Sequence, residues 1–187
     1  LFLLIGFEFL TGMFIGTIAR ILTSALDIAG MIMSMMLGLG NAQLFNPLMA
    51  SQGSLIGAFL SISGVTLLFV TNMHHLLLMG IFESYQAFPV GQLPEAQSMG
   101  EMVAKVVSSA FRIGIQMSIP LIVIGTVMYT GMGVLARIMP QIQVFMLALP
   151  LQILLGLMTL GVTAAAAMLF WLQEFENGMI FFLQQSF

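Results

Sequence analysis

Apolar positions run through this sequence in four long stretches, 1–45, 54–82, 102–139 and 142–172. The segments that divide them are "FNPLMASQGS" at 45–54, "FPVGQLPEAQSMGE" at 88–101 and "MPQ" at 139–141. Each contains proline and polar side chains, the residues at which helices stop. A bilayer core of about 30 Å is crossed by about 20 apolar residues in a helix. The first and third stretches are long enough for two passes or for one very long bent helix. The pattern therefore predicts an all-α chain of four to six membrane-type helices, in two hairpin-like halves at 1–88 and 101–173. The tail "LQEFENGMIFFLQQSF" reads as a helix end, a break at Gly178 and a short amphipathic segment.

Pro120 and Pro150 fall inside apolar runs. Each removes an intrahelical hydrogen bond and kinks its helix, which membrane helices tolerate when neighbours satisfy the freed carbonyl. Gly12 and Gly16 form a GxxxG in "TGMFIG", a small-residue face that lets a second helix approach closely. With 19 glycines in the chain, chance produces such a pair as readily as function does.

Composition sharpens the picture. Only 6% of the 187 residues are charged and 60% are hydrophobic, with a mean hydropathy of +1.11. Soluble domains carry roughly 25% charged residues, so a soluble monomer is excluded. The chain is an integral membrane protein or the buried part of a large assembly. It has no cysteine, which removes disulfides, thiolate metal sites and cysteine nucleophiles. Seven acids against Arg20, Lys105, Arg112 and Arg137 offer no basic face for nucleic acid. The opening "LFLLIGFEFL" has no Met and no basic n-region. It reads as the interior of a longer chain, not as a signal peptide.

Few residues offer chemistry. Glu8 and Arg20 lie twelve residues apart, about 18 Å along one helix, so neither can pair with the other. Asp27 follows Arg20 by about two turns on roughly the same face. Such charges in apolar runs cost about 2.5–3.5 kcal/mol each at a helix centre and call for partners in another helix or subunit. A proton relay at Glu8 is the sharper alternative. His74 and His75 are adjacent, not spaced as in HExxH, and read as structural or interfacial. Glu174 and Glu176 read as a solvated helix end. No histidine and acid stand in company with a serine or threonine as a hydrolase triad requires, so no enzyme and no cofactor are expected.

The string "MIMSMMLGLGNAQLFNPLMASQG" at 31–53 stands out. Four methionines in six positions give way to glycines, amides and Pro47. Methionine adapts its shape to neighbours, so one reading is a gap-filling core stripe. Non-helical backbone at membrane depth survives only when buried in protein or lining a water-filled cavity. The other reading is therefore a loop folded inward to obstruct a passage.

Three blocks taken in order resemble the FliR family, the R subunit of the flagellar and type III secretion export gate. "AGMIMSMMLGLGNAQLFNP" carries Ala29, Gly30, Gly38, Leu39, Asn46 and Pro47. "TNMHHLLLMGIFESYQAFPVG" carries Asn72, His74, Glu83, Tyr85, Pro89 and Gly91. "MGVLARIMPQIQVFMLALPLQILLG" carries Gly133, Leu135, Arg137, Pro140, Gln141, Phe145, Pro150 and Gly156, with Pro120 just before it. The resemblance runs from Glu8 to about Leu172. Departures fall at Met31, Met36, Gln143 and Ala148, where members often carry Glu, Gln, Asn and Gly, and at Asn41 and Leu44, loop positions that can be Phe.

The resemblance implies a non-enzymatic component of a protein export channel in the bacterial inner membrane, at the flagellar basal body. It would assemble with P-like and Q-like subunits and other membrane proteins of the export apparatus. The product would be a closed helical stack of kinked hairpins, raised from the bilayer plane, passing unfolded secreted polypeptides. Residues 1–100 would be the P-like part, with a plug loop at 37–54. Residues 101–187 would be the Q-like part with an amphipathic tail, in one integrated unit. The constriction would be formed by Met35, Met36, Gly38, Gly40, Asn41, Leu44, Phe45, Asn46, Pro47, Leu48 and Met49. Apolar constrictions close pores by dewetting. Glu8, Arg20, Asp27, Glu83, Arg112 and Arg137 are expected to pair across subunit boundaries. "ESYQAFPVG" leans towards the flagellar members. The rival readings are a secondary transporter fragment, whose broken helices hold a midplane solute site, and a structural assembly protein without a pore.

Overall fold

A computed structural model describes residues 2–39, 54–87, 96–139 and 144–185. Among the described residues the regular structure is entirely helical. It comprises α1 (Phe2–Met36), α2 (Leu55–Val70), α3 (His74–Ala87), α4 (Ala96–Ile138) and α5 (Val144–Gln185). The first apolar stretch is thus one 35-residue helix, and the third belongs to one of 43. Glu8–Met36, Met99–Ile138 and Ala148–Ile180 are each long and apolar enough to cross a membrane.

Helix α1 is the spine. Ile15, Ile18, Leu22, Ala25, Leu26, Ala29, Met33 and Leu37 recur at the three- and four-residue spacing of one helical face and are all buried. Contacts along this stripe fix the direction of every neighbour. Gly30 meets Gly57 and Leu26 meets Gly64, so α2 runs antiparallel to α1. Ile28 meets Gly114, Ala29 meets Ser118 and Met36 meets Gly125, so α4 runs parallel to it. Leu37 meets Gly156 and Leu22 meets Trp171, so α5 returns antiparallel. The core between α1 and α5 is aromatic, with Trp171 and Phe175 buried at a ring separation of 5.4 Å. The Trp171 indole N–H donates to the Leu22 carbonyl at 3.2 Å, satisfying the one polar atom of the ring.

Both interior prolines are accommodated within continuous helices. Two residues before Pro120, the buried Ser118 hydroxyl donates to the carbonyls of Gly114 and Ala29, tying α4 to α1. Gly178, expected to break the final helix, lies inside α5 instead. Its missing side chain is filled by Leu22, whose methyls lie 3.1 and 3.2 Å from where a β-carbon would stand. It is a packing notch, and burial of the leucine offsets glycine's poor helix propensity.

The break that does occur is between α2 and α3. Thr71 and Asn72 donate their N–H groups back to Leu67 and Phe69, and Asn72 adopts φ +60°. Asparagine is among the few side-chain-bearing residues that enter this left-handed region readily. The two helices consequently diverge by 72°. His74, at the start of α3, stacks on Phe69 at 5.1 Å and lies 4.2 Å from the His75 ring. The pair thus packs at the bend.

Candidate functional site

The segment singled out by its methionines, glycines and amides departs from the C-terminal end of α1. Leu37 N–H still bonds to Met33 at 2.9 Å and Gly38 N–H to Met35 at 3.1 Å. Gly38 then takes φ +75°, the left-handed cap with which many helices end and which a glycine enters without strain. Three neighbours hold this end in place. Leu37 fills a notch at Gly156 of α5, and Met36 lies with its sulfur against Gly125 of α4. Gln152 of α5, only 4% exposed, donates its amide to the Met36 carbonyl at 2.6 Å and to the Tyr129 hydroxyl of α4 at 3.2 Å. Carbonyls at a helix end lack intrahelical partners, so the glutamine supplies a bond that the helix cannot.

The chain returns to the same place. Ser54 is the N-cap of α2, its side chain accepting from Gly57 N–H at 3.1 Å. The same hydroxyl donates to the Gly30 carbonyl at 2.8 Å and shares a hydrogen bond with Ser34. Gly30 and Gly57 allow the two backbones to meet so closely that a β-carbon on Gly30 would overlap the Gly57 Cα. Ser54 is therefore anchored on the last two turns of α1, beside the end from which the chain departs at Gly38. Met35 stands exposed at this end, while Leu39 packs against the core. Gly40, Asn41, Leu44, Phe45, Asn46, Pro47, Leu48 and Met49 lie outside the described residues.

The charged residues divide. Asp27 accepts a hydrogen bond from Ser61 of α2 at 2.6 Å. Arg112 pairs with Glu174 of α5 at 3.0 Å, at side-chain exposures of 58% and 24%. Both thus have a partner inside the chain, and Glu174 serves as a cross-helix acceptor, where a freely solvated helix end was expected. Glu8 and Arg20 lie exposed on α1, and Arg137 lies exposed in the last turn of α4. There a cation complements the negative end of the helix dipole. Glu83 belongs to α3, and its side chain lies outside the described part. No group of three or more His, Asp and Glu that could hold a metal ion occurs among the described residues.

Gln152, Ser34 and Ser54 escaped the reading of the sequence. The signal for Gln152 was present. It is an amide in the middle of the apolar run 142–172, where burying an unsatisfied polar group is costly.

Three apolar helices of membrane-crossing length, joined by glycine notches and leaving apolar side chains such as Phe82, Leu55 and Val162 exposed, define a membrane-type helical assembly protein. The family model described as "Bacterial export proteins, family 1" matches residues 1–178, and the chain belongs to that family, the family of FliR. It is 33% identical over 170 residues to the flagellar biosynthetic protein FliR of Caulobacter vibrioides, covering 91% of this chain and 68% of the relative. FliR of Bacillus subtilis is 33% identical over 156 residues, covering 81% of this chain and 60% of that protein. Yop proteins translocation protein T of Yersinia pestis is 32% identical over 154 residues, covering 81% and 59%. The chain thus spans about six- to seven-tenths of the length of these relatives.

Proposed function

We propose that the chain is the R-type component of a flagellar type III export gate at the bacterial inner membrane. With P-like and Q-like subunits it forms a closed channel for unfolded flagellar proteins. Residues 37–54 act as a plug in that channel. The observation that supports the plug most directly is the stem. The described residues on either side of this segment meet at one helix end, Met36 and Leu37 held by Gln152, Gly156 and Gly125, and Ser54 held by Ser34 and Gly30. A loop built on a fixed stem can be displaced by a passing chain and return to the same position. Its apolar residues, Leu44, Phe45, Pro47, Leu48 and Met49, suit closure by dewetting.

In this reading residues 1–100 are the P-like part and residues 101–187 the Q-like part, the latter built around the α4–α5 hairpin. Glu8, Arg20, Glu83 and Arg137 pair across subunit boundaries. Arg112 and Asp27 are committed first to Glu174 and Ser61. Reversing the charge of Arg137 with full retention of co-assembly would remove it from that set.

Deleting Asn41–Ala50 in the full-length protein tests the plug. The gate should still assemble, and cells expressing it should leak small ions. Unchanged conductance with intact assembly refutes the plug and leaves the family membership standing. The 72° break between α2 and α3 is the feature that a transporter fragment would share. That reading requires a bound solute and activity without partner subunits. Native mass spectrometry of the co-expressed subunits separates the two, because a gate yields one large hetero-oligomer.

A further inference from the structure

The end of α1 is gripped by a symmetrical set of contacts. On α4, Gly125 receives Met36, and Tyr129, four residues further on, presents its hydroxyl. On α5, Gln152 presents its amide, and Gly156, four residues further on, receives Leu37. Residues four apart share a helix face, so each helix of the hairpin offers one notch and one polar group to the same spot. Gln152 joins the set. Its amide nitrogen donates to the Met36 carbonyl at 2.6 Å and to the Tyr129 hydroxyl at 3.2 Å, which uses both hydrogens of the group. The other half of the carboxamide lies against Gly38, with Oε1 3.4 Å from where a β-carbon would stand.

Among the described residues, Gln152 is the only side chain of α4 or α5 that bonds to the last turn of α1. Burying an amide is costly unless it is bonded, and an aliphatic side chain would fill the same space without that cost. The bond falls two residues before the left-handed turn at Gly38, where the chain departs from the helix. Ser54 is tied to α1 itself, through Gly30 and Ser34, so it moves with that helix. The contacts with the hairpin are what fix the end of α1 relative to the rest of the fold. A shift of α4 against α5 separates Tyr129 from Gln152 and draws the amide away from Met36.

We propose that the α4–α5 hairpin is the latch of the plug, with Gln152 as its positioning residue. While Tyr129, Gln152 and Met36 are joined, the end of α1 is held where the plug is closed. Parting α4 from α5 lets that end yield. The proposal rests on the plug reading and adds to it the element that governs release.

The test is the leak of small ions from cells expressing the full-length protein with its accompanying subunits, each variant checked for assembly by native mass spectrometry. Gln152→Leu should raise the leak about two- to tenfold, the shift in a closed–open balance that loss of a modest hydrogen bond produces. Tyr129→Phe keeps the bond between Gln152 and Met36 and changes only the hydroxyl of a 44% exposed ring, so it should raise the leak less, by about twofold. In the background of the Asn41–Ala50 deletion neither substitution should add to the leak, because a latch acts only through what it holds, and such effects are not additive. Trp171→Phe weakens the packing of α1 at Leu22, about four turns from Met36, and should leave the leak at the wild-type level. A leak from the deletion but none from Gln152→Leu overturns the latch and leaves the plug standing. Additive leaks from Gln152→Leu and the deletion overturn it too, because Gln152 then acts elsewhere. So does a leak from Trp171→Phe equal to that from Gln152→Leu, which would reduce the effect to general loosening. A deletion that does not leak refutes plug and latch together. Should Gln152→Leu fail to assemble, Tyr129→Phe decides by the same criteria.

Discussion

Gly12 and Gly16 in the first half of α1, and Gly30 in the second, are all helical glycines on an apolar helix. A β-carbon added to either of the first two would meet nothing within 4 Å, whereas one added to Gly30 would run into the backbone of Gly57. The flanking side chains shift along the helix too. Ile5, Phe9, Leu10 and Met13 are exposed, while from Phe14 onward the inward stripe of Phe14, Ile15, Ile18 and Leu22 is buried. One helix thus packs its inward stripe within the chain from Phe14 onward and leaves an unfilled small-residue face, with Gly12 and Gly16, on its first half. Glycine in an apolar helix marks a place where something approaches closely. Whether the approaching surface belongs to the same chain is a property of the tertiary fold. The open half is left for lipid or another subunit to cover.

The comparison breaks most sharply at Gly30. Gly30→Leu forces a side chain into backbone, which cannot move aside as a flexible side chain can. The cost should exceed the about 1–3 kcal/mol typical of overpacking. Folded protein should not accumulate in detergent extracts, and size-exclusion chromatography of the extract measures this. A monodisperse Gly30→Leu protein of normal yield would show that α1 and α2 do not meet there.

Next in size is Trp171. Trp171→Ala removes a fully buried ring and leaves the Leu22 carbonyl without its cross-helix donor, at a cost of about 3–5 kcal/mol. Trp171→Phe keeps much of the ring and loses the bond, so it should cost about 1–3 kcal/mol. Thermal unfolding followed by circular dichroism should rank wild type above Trp171→Phe above Trp171→Ala. Equal losses from both would assign the whole effect to the hydrogen bond.

Gln152 comes third. Gln152→Leu conserves volume approximately and strips the donor from both the Met36 carbonyl and the Tyr129 hydroxyl. Losing the bond to the part-buried Met36 carbonyl, with the weaker one to the exposed Tyr129 hydroxyl, should cost about 0.5–1.5 kcal/mol. The loss should be concentrated at the end of α1, where amide exchange of residues 33–39 should accelerate while that of the α1–α4 contact near Ala25 stays unchanged. Uniform acceleration along α1 would show that Gln152 stabilises the whole bundle and does not act as a local anchor.

The long helices were largely legible because each long apolar stretch carries its own period. The break after Val70, inside the stretch 54–82, went unread, and α4 begins at Ala96, within the divider 88–101. Less legible was anything decided by a contact far along the chain. Gly178 looked like a break because local propensity counts only the glycine. The helix continues because Leu22, 156 positions earlier, occupies the space. Glu174 looked solvated because its neighbours in sequence are polar, and Arg112 on another helix supplies its partner. Of the candidate site, the sequence disclosed the segment and its odd composition. The stem that holds it depends on Gln152 meeting Met36, residues 116 positions apart. No local pattern encodes that distance, although an isolated amide in an apolar run signals that some partner exists.

The smallest effect should carry the opposite sign. Gly12 stands in a helix with open space around it, so Gly12→Ala should leave the isolated chain unharmed. It should even stabilise it by up to about 1 kcal/mol through helix propensity. If the open half of α1 receives another subunit through its GxxxG face, Gly12→Leu should weaken co-purification of partner subunits while the unfolding temperature of the isolated protein holds or rises. A substitution that improves the chain and damages the assembly would locate an interface more directly than one that damages both. If Gly12→Leu leaves stability and co-purification alike untouched, the first half of α1 is covered by lipid, and the two halves differ in solvent, not in protein partner.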